Sequence, residues 1–82
     1  MKLNIQDNPY NGGLACYFTH NGQEYYADLC LLPYAEYTEC MIFPSEDEQV
    51  TSWSELYCKR DIPVTEGQLE KCINEFIKTL EQ

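Results

Sequence analysis

Apolar and polar residues alternate most cleanly on either side of Asn21–Gly22. Residues 14–20 and 23–31 flank this dipeptide, the preferred two-residue type I′ hairpin turn, because both of its positions take a positive φ. The turn sets a register: His20 faces Gln23, Phe18 faces Tyr25, Cys16 faces Ala27 and Leu14 faces Leu29. These pairs share one apolar face with Leu31. The other face carries Ala15, Tyr17, Thr19, Glu24, Tyr26 and Asp28, two of them aromatic and two acidic. A slip of one residue would bury Glu24 and Asp28, so the apolar face is predicted to be the core side.

Shorter patterned segments flank the hairpin. Residues 3–6 alternate and predict a short strand, ended by the turn formers of residues 7–13. Residues 32–37 read as a connection broken by Pro33. Residues 38–43 are β-rich and are expected to stop at Pro44, and residues 44–49 read as an acidic loop. Residues 54–59 predict a further strand, with Leu56 and Cys58 on one face and Glu55 and Tyr57 on the other. Towards the C-terminus, Leu69, Cys72, Ile73, Phe76, Ile77 and Leu80 recur at helical spacing. Thr65 is the predicted N-cap, Gln68 completes a capping box, and Val64 is placed to staple onto Leu69. Glu66 and Lys78 suit the two ends of the helix dipole. Four or five short strands and one amphipathic helix predict a small α+β domain. It is an antiparallel β-meander with the C-terminal helix packed on one face. At 82 residues, the chain is read as one domain over 1–82.

Charge changes this picture of an ordinary small domain. The formal net charge is −9. Between Leu3 and Cys58 stand nine acids (Asp7, Glu24, Asp28, Glu36, Glu39, Glu46, Asp47, Glu48, Glu55) and no Lys or Arg. Such a body repels nucleic acid and membranes and attracts basic surfaces. Direct nucleic-acid binding is also disfavoured because phosphate contacts need clustered bases, and Lys59–Arg60 is the only adjacent pair. A hydrophobic share of 44% argues against a disordered acidic tail. No apolar run approaches the ~18–20 residues of a membrane span. Residues 1–4 lack the apolar stretch of a signal peptide, so a cytoplasmic location is the expectation.

Candidate chemistry is sparse. The five cysteines form no C-x-x-C pair, and their odd number argues against a disulfide framework; reduced, buried thiols are expected. His20, the only histidine, adjoins the turn and is expected to be exposed. Cys16 lies about 13 Å from it along a strand at ~3.3 Å per residue, too far for a dyad. Glu46–Asp47–Glu48 lacks the ligand spacing and glycine of an EF-hand loop. No phosphate-binding loop or nucleophile motif is present. The expectation is therefore a protein that is not an enzyme, with no metal and no cofactor. Trp53 reads as an anchor returning the acidic loop to the core, with a partner hot spot as the alternative. The hairpin's outer face is the remaining feature, since tyrosines with interleaved acids suit a basic, partly apolar groove. The candidate partner-binding residues are Tyr17, Glu24, Tyr26, Asp28, Glu46, Asp47 and Glu48.

Residues 38–45 (TECMIFPS) and 50–56 (VTSWSEL) also carry a resemblance. The run resembles short proteins of phages and integrative elements that have an ETMVFP-like run, then VTDWSEL or similar, then a basic pair. Here Cys40 and Ile42 replace Thr and Val, Ser52 replaces Asp, and Lys59–Arg60 stand near the basic pair. Those relatives bring no assigned activity and no residue roles; the resemblance implies a mobile-element accessory protein. Taken with the charge, the expected function is inhibition of a basic host nucleic-acid-binding protein by occupation of its groove, as DNA mimics and anti-CRISPR proteins do. The alternative is a self-associating structural module, a homodimer in its simplest form.

Overall fold

In the computed structural model the described residues are 3–8, 12–32 and 37–81. They form strands β1 (Gln6–Asp7), β2 (Leu14–His20), β3 (Gln23–Leu32), β4 (Tyr37–Glu46), β5 (Gln49–Val50) and β6 (Tyr57–Arg60), followed by helix α1 (Glu66–Leu80). All pairings are antiparallel. The order is β1-β2-β3-β4-β5, with β6 also paired to β4. The architecture is thus an antiparallel sheet with one C-terminal helix on one face, a small α+β fold.

The β2–β3 hairpin has the register that Asn21–Gly22 dictates, from Leu14 opposite Leu29 to His20 opposite Gln23. Asn21 and Gly22 both have positive φ, 52° and 80°. The face bearing Cys16, Phe18, Tyr25, Ala27 and Leu29 is buried, and β4 adds Cys40 and Ile42 to it. Helix α1 covers this face with Leu69, Cys72, Ile73, Phe76 and Ile77. Phe76 is the keystone: its ring meets Tyr25 edge-on at 5.1 Å, Tyr57 at 6.2 Å and Phe18 at 6.3 Å. Thr65 caps the helix by accepting the Gln68 N–H through Oγ1. The capping box is only half formed, because the Thr65 N–H turns back to Pro63 O instead. Thr38 positions the helix entry: its hydroxyl accepts from Ile62 N and donates to Ile62 O.

Several expectations are corrected. The first strand falls at Gln6–Asp7 rather than 3–6, and beyond it Asn8 and Gly12–Gly13 close a loop through Asn8 N–H to Gly13 O and Gly12 N–H to Asn8 O. Leu32 and Tyr37 are paired ladder residues rather than connection; residues 33–36 and the turn formers 9–11 lie outside the described residues. The strand expected to stop at Pro44 runs on to Glu46. The C=O groups of Ile42 and Pro44 accept from Leu56 N and Thr51 N, so both residues point their backbone polar groups away from β3. The N–H that proline lacks would face the gap between β5 and β6, where no ladder partner is lost.

The acidic loop is a tight hairpin instead, β4 and β5 flanking Asp47–Glu48. The later strand begins at Tyr57, because residues 51–56 leave the sheet and return. Trp53 rides outward on that excursion and is 70% exposed, not a core anchor. Leu31 and Leu80, assigned to the apolar faces, are exposed, since each lies at the end of its element. Cys58 is exposed, unlike the other four thiols, because Tyr57 and not Cys58 turns towards the helix. His20 is not exposed: its side chain is only 17% accessible, and Nε2 lies 3.6 Å from Glu81 Oε1 at the helix end.

Candidate acidic and aromatic interface

The face away from α1 is built by the same two-residue alternation that buries the core. Ala15, Tyr17, Glu24, Tyr26 and Asp28 project to it from the hairpin, and Glu39, Met41, Phe43 and Ser45 from β4. Tyr17 and Tyr26 are direct cross-strand partners, with ring centroids 4.9 Å apart and planes tilted by 43°. Tyr26 stacks on Phe43 at 6.4 Å, and Phe43 takes the Trp53 edge at 5.1 Å. Four rings therefore run across β2, β3 and β4 to the excursion beyond β5. The first pair was legible in the hairpin. Phe43 was not, since the sequence between β3 and β4 carries no two-residue turn motif such as Asn–Gly to announce their register.

Beside this ladder stands the Asp47–Glu48 turn. Both residues have positive φ, 52° and 59°, as a type I′ turn requires. Asp tolerates this region, but for Glu48 it costs ~1–2 kcal/mol. Glu24 offsets this: Oε2 accepts the Ser45 hydroxyl at 2.7 Å and the Glu48 N–H at 2.9 Å. Glu46, Asp47 and Glu48 are thereby held exposed on a defined turn.

The predicted site residues divide into three sets. Tyr17, Tyr26 and Glu48 come together, with Asn4, Gln6, Asp7, Asn8, Ala15 and Cys16, around a cavity of about 290 Å³. Glu24, Glu46 and Asp47 line a second hollow at the turn end, with Ser45, Thr51 and Leu56. Asp28 is set back: it is half-buried beneath the surface row, with Oδ1 enclosed. Phe43 and Trp53 join the surface without having been assigned to it, and Asp7 lines the cavity from β1. In a flat sheet, β1 and β4 would lie three strand spacings apart, about 14 Å at ~4.8 Å each. One cavity lined by both Asp7 and Glu48 therefore requires a curled sheet.

The electrostatics keep this surface negative while its rings stay neutral. Burial and the charges of Glu48 and Glu24 raise the Tyr17 phenol. Burial, then Asp28, pushes Tyr26 up to about 12. Its hydroxyl accepts from Asn8 Nδ2 at 3.5 Å. Of the basic side chains of β6, Lys59 turns to the helix side with Nζ 3.3 Å from Glu75, whereas Arg60 lies at the Glu39 end of this open face, where Nε is 3.3 Å from Glu39 and the guanidinium sits over Tyr37.

A second polar cluster surrounds Glu39, which is buried. Cys58 Sγ donates to Glu39 Oε1 at 2.9 Å, on the oxygen that Arg60 also reaches. Burial and Glu39 push the Cys58 thiol up to about 11, so the thiolate that would act as nucleophile is scarce at neutral pH. Among the described residues no group of three His, Cys, Asp or Glu side chains is disposed to hold a metal ion, and no helix is long and apolar enough to cross a membrane. Comparison of the chain with protein-family models, curated proteins and solved structures finds no match.

Proposed function

We propose that this chain is a non-enzymatic acidic binding protein of a phage or mobile element that inhibits a host nucleic-acid-binding protein by occupying its basic groove. One observation carries the reading. An exposed acidic turn, Glu46–Asp47–Glu48, is held in a costly left-handed conformation by Glu24, beside a tyrosine pair on the sheet face that the helix leaves open. The β2–β3 turn solves the same backbone problem with Asn21–Gly22, at lower strain. Strain retained at one turn and avoided at another marks the first as serving something besides folding. Fixed carboxylates and flat rings offer a basic groove the two contacts nucleic acid offers, negative charge and stacking faces.

The test is competition. A groove protein captured by this chain should release it when duplex or single-stranded nucleic acid is added, and more readily as salt rises. A captured protein that holds nucleic acid and this chain together would exclude groove occupation. Trp53 and Leu56, 70% and 52% exposed, favour a second reading, burial of this apolar corner against another copy. The charge of −9 opposes it. Light scattering separates the two, since a stable dimer whose interface covers Trp53 supports self-association.

A further inference from the structure

We propose that the cavity between β1, Tyr17–Tyr26 and the Asp47–Glu48 turn is a receptor for a single arginine side chain of the partner. The inference rests on the acidic-partner reading above and names the contact within it. At about 290 Å³ the cavity falls just under the ~300 Å³ lower end of small-molecule sites, a size for one long side chain rather than a whole cofactor. Its walls are specific. Two tyrosine rings stand at one side, and Glu48 enters from the β4–β5 turn with its carboxylate near Tyr17; Asp7 lines the cavity from β1, although its pairing with Leu14 turns its side chain to the other face. Asn4, Gln6 and Asn8 complete the rim with amides.

A guanidinium matches each part. Its flat face stacks on a neutral tyrosine ring, and its five N–H groups match the Glu48 carboxylate at the turn and the Gln6 amide on the β1 side. Lysine matches less well, because its ammonium is a compact, strongly hydrated point charge without a stacking face. The phenols stay neutral through the physiological range, so neither adds a charge of its own. No Lys or Arg occurs between residues 3 and 58, so the stretch that builds these walls supplies no cation of its own to fill the site.

The experiment is an NMR titration of the full chain with N-acetyl-arginine-methylamide, run beside the neutral isostere N-acetyl-citrulline-methylamide and the lysine analogue. The expected result is saturable shifts at Gln6, Ala15, Tyr17, Tyr26 and Glu48, with citrulline about tenfold weaker. Tyr17→Ala and Glu48→Gln should each abolish saturation. Tyr26→Phe, which keeps the ring, should retain it. Equal binding of citrulline, shifts clustered elsewhere, or no saturation in the millimolar range would overturn the site. These outcomes are separable from the wider reading. Should a nucleic-acid-competed partner still bind a chain whose cavity ignores arginine, the cavity assignment falls and groove occupation stands. Should arginine bind as expected while captured partners ignore nucleic acid, the cavity stands and groove occupation falls.

Discussion

Glu24 is one partly buried acceptor for two donors, the buried Ser45 hydroxyl and the Glu48 N–H. Glu24→Ala would leave the buried Ser45 hydroxyl unmatched, which costs ~1–3 kcal/mol, and would release the exposed Glu48 N–H to water. We expect a loss of about 2 kcal/mol in urea unfolding, together with broadened resonances at Asp47 and Glu48; unchanged stability would show that the turn holds itself. Glu48→Gly should act in the opposite sense on stability. Glycine accepts a φ of 59° without a Cβ penalty, so the variant should gain about 0.5–1 kcal/mol while weakening partner binding. A variant that is both more stable and equally active would remove the functional reason for the strain. These roles were hidden in the sequence, where Glu24 reads as one more surface acid. Its two bonds exist only because β3 and β4 bring Glu24 opposite Ser45.

At the scale of elements, legibility followed local signals. The β2–β3 register was readable because Asn21–Gly22 admits few alternatives, and the helix because its apolar stripe and Thr65 agree. Thr65→Ala should cost about 1 kcal/mol through the lost cap, and Phe76→Ala ~3–5 kcal/mol through the cavity left among Phe18, Tyr25 and Tyr57. Thermal unfolding of the two variants checks the order; equal effects would contradict Phe76 as the centre of the core. Strand β4 was misread because a proline normally ends a strand. Whether it does depends on which side the missing N–H faces, and that is a tertiary fact. The β4–β5 turn was misread for a related reason, since it lacks the glycine that marks such turns. Trp53 was placed inside by its hydrophobicity, although the excursion between Thr51 and Leu56 carries it out onto Phe43.

At the scale of the molecule, charge and burial set the response to pH. Burial pushes the Cys16 thiol up to about 11 and the Tyr26 phenol up to about 12. The folded state therefore keeps protons that the unfolded chain loses from about pH 9 upward. Stability contributed by these groups is complete below their unfolded values and declines as pH rises through the folded ones. Melting temperature should fall steadily between about pH 9 and 12, and Cys16→Ala should flatten the first part of the fall. A flat profile across that range would contradict the burial of these groups. On the acid side Glu75 acts in the other sense. The Tyr57 hydroxyl and Lys59 hold its carboxyl below the ordinary value of 4.5, so its contribution is present above that value and is lost as pH falls below it.

On the proposed reading, the rigid acidic turn and the tyrosine pair form one surface for a cationic groove. The most direct test measures the affinity of a captured partner for the wild-type chain and for Glu46→Gln/Asp47→Asn/Glu48→Gln, each at two ionic strengths. Wild-type affinity should drop about tenfold or more between low and physiological salt, where the Debye length shortens to ~8 Å. The triple variant should be weak at both and nearly insensitive to salt. Equal affinities for the two chains, or a wild-type affinity that ignores salt, would contradict that reading.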